Sequence, residues 1–224
     1  MNKNVGISYK ALVLLLAVVL VLGGTIGGTM AWLIDDTEAV ANVFTDSDVD
    51  IEFNETTKDY QMIPGHTIDK NPTVTVSSDS EDCYVFVKIE KSANYDTYLA
   101  PYAVNSSIWT KLEKDIEGKD LDGVYYREVL TEDASRTFSI LDSGKYTDPD
   151  ASADGEFTWS GNQVLVRPSV TKEQMNDINK NVEDEPTLTF TTYAVQLKKN
   201  NDTKFTVAEA WEKAKENEVR TTNN

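Results

Sequence analysis

The sequence predicts an all-β domain, a jelly-roll-like antiparallel β-sandwich with a few short peripheral helices, and three observations predict it. Segments with strand periodicity dominate the chain beyond residue 46. Helical periodicity is confined to two short stretches, and no repeat or low-complexity linker divides the chain. The clearest strand is Cys83–Glu90 (CYVFVKIE). Cys83, Val85, Val87 and Ile89 share one face, Tyr84, Phe86, Lys88 and Glu90 the other, and the first face is expected to be the buried one. In Thr187–Leu197, Leu188, Phe190 and Ala194 oppose Thr189, Tyr193, Val195 and Leu197, so both faces are partly apolar and a central strand is expected. Further strands are expected at Val49–Phe53, Thr73–Ser77, Val124–Leu130, Thr137–Leu141 and Gln163–Arg167.

Two capping boxes mark the helices. Thr171-Lys-Glu-Gln174 opens one that is expected to end near Asn179, and Thr206-Val-Ala-Glu209 opens another. In the second, Val207, Ala210, Trp211 and Ala214 recur at helical spacing, with Trp211 as the anchor. The polar, turn-rich stretch Asp142–Gly155 reads as an exposed loop, and residues 216–224 as a frayed tail.

The N-terminus carries an export signal. Lys3 and Lys10 precede the apolar run Ala11–Leu22 (ALVLLLAVVLVL), which is short for a bilayer span and fits the core of a signal peptide. Four glycines (Gly23, Gly24, Gly27, Gly28) then weaken the helix, and Thr29-Met30-Ala31 supplies small residues at the −3 and −1 positions. Cleavage is therefore expected between Ala31 and Trp32. The alternative is an uncleaved membrane anchor, since no charge occurs from Ala11 to Ile34. The expected organisation is a signal peptide helix at 1–31, a mature N-terminal segment at 32–45, a sandwich domain at 46–215 and the tail.

Charge excludes some partners. The chain carries 38 acidic and 21 basic residues and a net charge of −17, and removing the two lysines of the signal leaves −19. Such a surface repels nucleic acid and anionic lipid. One cysteine, Cys83, cannot form an internal bridge, so the fold relies on its core.

Catalytic chemistry is hard to assemble from these residues. His66 is the only histidine and sits in the turn Ile63-Pro64-Gly65-His66, which rules out a H-E-x-x-H zinc site and leaves any triad dependent on that one side chain. Cys83 lies on the apolar face of a strand, as expected for an inert core thiol. Asp150-Ala-Ser152-Ala-Asp154-Gly155 resembles half of an EF-hand calcium loop, but position 12 is Gly161 where a glutamate is needed. No catalytic residue and no cofactor is expected, with Ca²⁺ the one ion weighed.

Gly27–Asp36 (GGTMAWLIDD), Asn42-Val-Phe-Thr45 and Val49-Asp-Ile-Glu52 resemble the start of the TasA/camelysin family. The likeness continues in Met62-Ile-Pro-Gly65, Lys70–Val76 (KNPTVTV), Tyr84–Ile89 (YVFVKI) and Tyr193-Ala-Val-Gln196. It is tightest over residues 27–90. The resemblance implies export from a Gram-positive bacterium, processing by the dedicated signal peptidase SipW, a jelly roll, and homopolymeric fibres of biofilm matrix with a possible accessory anchoring protein. It also implies donor-strand exchange, in which the mature N-terminus completes the sheet of the next subunit. Trp32, Leu33, Ile34, Val40, Val43 and Phe44 would be the apolar anchors of that strand, and no proline or glycine interrupts residues 32–53. Some family members carry a metallo-endopeptidase label, which the single histidine does not support here. A camelysin-like surface protease and a membrane-tethered binding module are the alternatives to a fibre subunit.

Overall fold

The structure, a computed structural model, describes residues 49–55, 62–151, 155–178, 185–200 and 202–222. The chain divides between Ala39 and Val40, and every described residue belongs to the second unit.

Thirteen strands among the described residues, all paired antiparallel, make the protein mostly β. Strands β1 (Ile51–Asn54), β3 (Thr73–Val76) and β7 (Thr137–Ser139) form a three-stranded sheet in the order β1-β3-β7. Strands β4 (Cys83–Lys91), β5 (Thr110–Lys111), β6 (Val124–Val129) and β11 (Leu188–Gln196) form a four-stranded sheet in the order β11-β4-β6-β5. Three small ribbons complete the set. They are β2 (Thr67–Asp69) with β10 (Gln163–Leu165), β8 (Gly144–Thr147) with β9 (Glu156–Trp159), and β12 (Lys198–Asn200) with β13 (Thr203–Lys204). Helices α1 (Tyr95–Tyr98), α2 (Lys172–Ile178) and α3 (Val207–Thr222) lie between and after them.

The main core lies between the two larger sheets. Ile51, Val74, Val76 and Phe138 come from one, Val85, Val87, Ile89, Phe190 and Ala194 from the other, in one buried cluster. β-branched side chains suit this space because their restricted rotamers cost little in a strand and interlock between pleated surfaces. The three-stranded sheet turns its other face outward, where Thr75 and Thr137 share a hydrogen bond of 3.0 Å.

Both faces of β4 are buried, which corrects the expectation of one. Tyr84 and Phe86 are covered as fully as Val85 and Val87. Their cover is α3, whose Ala210, Trp211 and Ala214 pack on Phe86, Tyr193, Val195 and Leu197. Phe86 pairs across the sheet with Tyr193 and Tyr126, and Trp211 lies 5.4 Å from the Phe86 ring and edge-on at 5.2 Å to Tyr193. The same layering corrects the placement of β11. Among the described residues it pairs with β4 alone and is the outermost strand, so its two apolar faces reflect a core on each side and not a strand on each side.

Both capping boxes form. Thr171 and Gln174 exchange reciprocal bonds at the start of α2, and Thr206 and Glu209 do so at the start of α3. α3 runs on through Glu216 to Thr222, over residues the sequence assigns to the tail.

Asp142–Gly155 is not a simple exposed loop. Its residues Gly144–Thr147 form β8, and Asp148 is buried. The cause is Arg167, which draws the turn inward. Its Nη2 donates to Asp148 and Asp150 at 2.7 Å each, and Nη1 donates to the Asp96 carbonyl at 2.9 Å. Asp148 also accepts from the Ser169 amide and hydroxyl. Burial pushes the Asp148 carboxyl up, but these bonds outweigh it and hold it well below the usual carboxylate range.

One glycine is dictated by close approach. Gly123, at φ +69°, leads into β6 with its carbonyl accepting from the Ile89 amide at 2.8 Å, and a Cβ there would lie 2.1 Å from the Ile89 oxygen.

Candidate assembly surface

The cleavage residues Ala31 and Trp32 and the strand anchors Leu33, Ile34, Val40, Val43 and Phe44 lie outside the described residues. The point at which that segment joins the domain is described. Val49 and Ile51 are buried, and the main chain of Asp50 is clipped on both sides. Its amide donates to Ser80 Oγ at 2.8 Å, and its carbonyl accepts from the Ser77 amide at 2.8 Å and from Ser80 Oγ at 3.1 Å. Arg136 fastens the same turn, donating to the carbonyls of Ser78 and Ser80.

This anchor sits at one pole of the sandwich, where β4 begins and β11 ends. Asp82 is the pivot there. Its carbonyl accepts from the Leu197 amide, and its carboxylate accepts from the Thr131 amide and hydroxyl at 2.8 and 3.1 Å. The hydrogen bond from the Thr131 amide lowers the Asp82 pKa against a smaller opposing effect of burial, with Lys198 and Lys204 adding to the lowering. A cleft of about 560 Å³ opens beside it, lined by Glu81, Asp82, Thr131, Gln196, Lys198 and Lys199. The β12–β13 ribbon forms its rim and sets Lys198 directly opposite Lys204. Lys199 pairs with Glu209 at 2.5 Å and Lys204 with Glu128 at 3.4 Å. Sequence reading missed this lysine ribbon, although KKNNDTK at 198–204 carries three lysines around a turn-prone Asn-Asn-Asp.

The other residues weighed for chemistry are dispersed. His66 is exposed in its turn, where its amide donates a hydrogen bond to the Ile63 carbonyl and Nδ1 lies 3.2 Å from the Pro64 carbonyl. Cys83 is fully buried, and burial pushes its thiol up to about 12. Asp150 is engaged by the Arg167 guanidinium, a poor neighbour for a bound cation, and residues 152–154 of the calcium-like stretch lie outside the described residues. Among the described residues, no group of three or more His, Cys, Asp or Glu side chains is placed to hold a metal, and no helix is long and apolar enough to cross a membrane.

Comparison with family models, with curated proteins and with solved structures returned no match.

Proposed function

We propose that this chain is an exported, non-catalytic structural subunit of an extracellular fibre of the biofilm-matrix type. Cleavage between Ala31 and Trp32 frees residues 32–45, which add as a strand to the sheet of a second copy. A dedicated signal peptidase processes it, and an accessory protein anchors the fibre. The observation that carries this reading is the join at Val49. The domain is clipped from Asp50 onward, and the segment before it is apolar at Trp32, Leu33, Ile34, Val40, Val43 and Phe44, without proline or glycine. An extended segment of that kind gains main-chain hydrogen bonds and apolar contacts only by joining a sheet edge. The two larger sheets around one core support the jelly-roll arrangement, and the likeness to the TasA/camelysin family supports the fibre.

The test is a truncation. A chain beginning at Asp46 is expected to remain a folded monomer by circular dichroism and to form no fibres by electron microscopy, whereas the chain beginning at Trp32 polymerises. Fibres from the truncated chain matching those of the longer one would overturn the donor-strand reading. Casein digestion provides the check on catalysis. Neither chain is expected to cleave casein, and chelator-sensitive cleavage lost in His66→Ala would place the protein among proteases instead.

A further inference from the structure

We infer that the Arg127 guanidinium, on the side of the sandwich where β6 meets β7, receives a carboxylate from a second copy of this chain. The inference rests on the fibre reading and adds to it one point of contact between subunits. Arg127 stands opposite Val85 in the β4–β6 register, so it shares the face that meets the three-stranded sheet. Its Cζ lies 3.6 Å from the centre of the Phe138 ring, the middle residue of β7. Trp109 meets the same ring edge-on at 6.4 Å and is itself fixed, its Nε1 donating to the Ser139 carbonyl. The guanidinium is thus held over an aromatic face, half-buried at the rim of the core.

What this guanidinium lacks is an acceptor. Arg136 and Arg167 show the contrast. The Nη groups of Arg136 donate to the Ser78 and Ser80 carbonyls, and those of Arg167 to Asp148, Asp150 and the Asp96 carbonyl. All three bury Nε without a partner, so the difference lies at the Nη fork, where Arg127 has no hydrogen bond and no ion pair among the described residues. Asp133 acts on it through its charge alone, and that carboxylate is engaged by the Leu130 amide at 3.0 Å. Burial of an unrelieved cation costs the single chain stability, and a carboxylate bonded to the fork would recover it. Charge selects the partner. With 38 acids to 21 bases, a second copy offers carboxylates in excess. The approach is also open. Among the described residues β7 is the outer strand of its sheet, and β5 covers β6 only at Tyr125 and Tyr126.

Zero-length crosslinking of the processed, full mature chain tests the assignment. Heavy-isotope-labelled Arg127→Lys is assembled with an excess of the unlabelled, unsubstituted chain and treated with a carbodiimide, which joins an amine only to a carboxylate in contact with it. Mass spectrometry of the digest is expected to show the heavy peptide of position 127 joined to a light peptide through Asp or Glu. Polymer in which position 127 links only within its own chain, or not at all, overturns the assignment and leaves the fibre reading standing. A chain that stays monomeric under every salt and pH removes both. Arg127→Met supplies the second measurement, since it keeps an apolar stem over Phe138 and removes the charge. It is expected to melt no lower than the unsubstituted chain by circular dichroism and to elongate at least about tenfold more slowly. A lower melting temperature, or an unchanged elongation rate, would make Arg127 a residue of the single fold and overturn the assignment.

Discussion

The two faces of the four-stranded sheet are equally dry and differently built. One meets a second sheet through Val85, Val87, Ile89 and their partners from strands spread over more than a hundred residues of sequence. The other meets a single helix through Tyr84, Phe86 and Tyr193, with Ala210, Trp211 and Ala214 as the cover. The first face is closed by many small interlocking contacts, so it opens only when the whole sandwich opens. The second is closed by one local element with its own cap, so its cover can loosen alone.

Trp211→Ala should give the largest effect, a loss of about 4 kcal/mol, because it removes the largest side chain of the cover from its place against Phe86 and Tyr193. Hydrogen exchange should show early opening of α3 with β3 and β7 still protected. Equal loss of protection in those strands would break the distinction between the faces.

Ile140→Ala, in the core between the sheets, should cost about 3 kcal/mol and act globally, lowering protection in both larger sheets together. An effect confined to one sheet would show that they are not a single cooperative unit.

Asp148→Asn should cost roughly 2 kcal/mol, since Arg167 keeps Asp150 and the Asp96 carbonyl but loses its buried partner. Chemical denaturation with the single-site variant measures this, and a neutral result would mean the remaining bonds suffice.

Acid should separate the helix from the β8–β9 hairpin by a smaller effect. Lys199, then Thr206, hold the Glu209 carboxyl down at about 2, against an ordinary value of 4.5. A lowered carboxyl stabilises the fold above its ordinary value and loses that contribution as pH falls through the lowered one. Support for α3 should thus fade between pH 4.5 and about 2. Asp148 is held lower still and should keep the hairpin in place over the same range. Trp211 fluorescence should change before that of Trp159, which belongs to the hairpin, when each is read in a variant whose other three tryptophans are replaced by phenylalanine. The reverse order would contradict the assignment of the two carboxyls.

The legible parts of the sequence were the local ones. Both capping boxes and the existence of a strand at Cys83–Glu90 depend on neighbours a few residues apart, and they can be read directly. What failed was set by distant contacts. Tyr84 and Phe86 look solvent-facing until a helix more than a hundred residues later covers them. Leu188–Gln196 looks central because apolar residues on both faces record layers above and below and carry no information about lateral neighbours. Asp142–Gly155 looks like loop because the group that buries Asp148 is an arginine beyond the next hairpin strand. The anchor strand of the candidate assembly site was proposed from composition and resemblance, whereas its join to the domain and the lysine ribbon beside it became visible only in three dimensions.

Cys83 gives the molecule a practical property. Burial pushes the thiol up to about 12, so little thiolate forms at neutral pH, and the fully enclosed sulfur offers alkylating reagents no approach. The native chain should therefore pass through maleimide, iodoacetamide or oxidised glutathione unmodified while folded. Any cysteine introduced on the surface becomes the single reactive handle, without first removing the native one. Labelling at Cys83 is in turn expected to require opening of the core between the two larger sheets, where its side chain is packed.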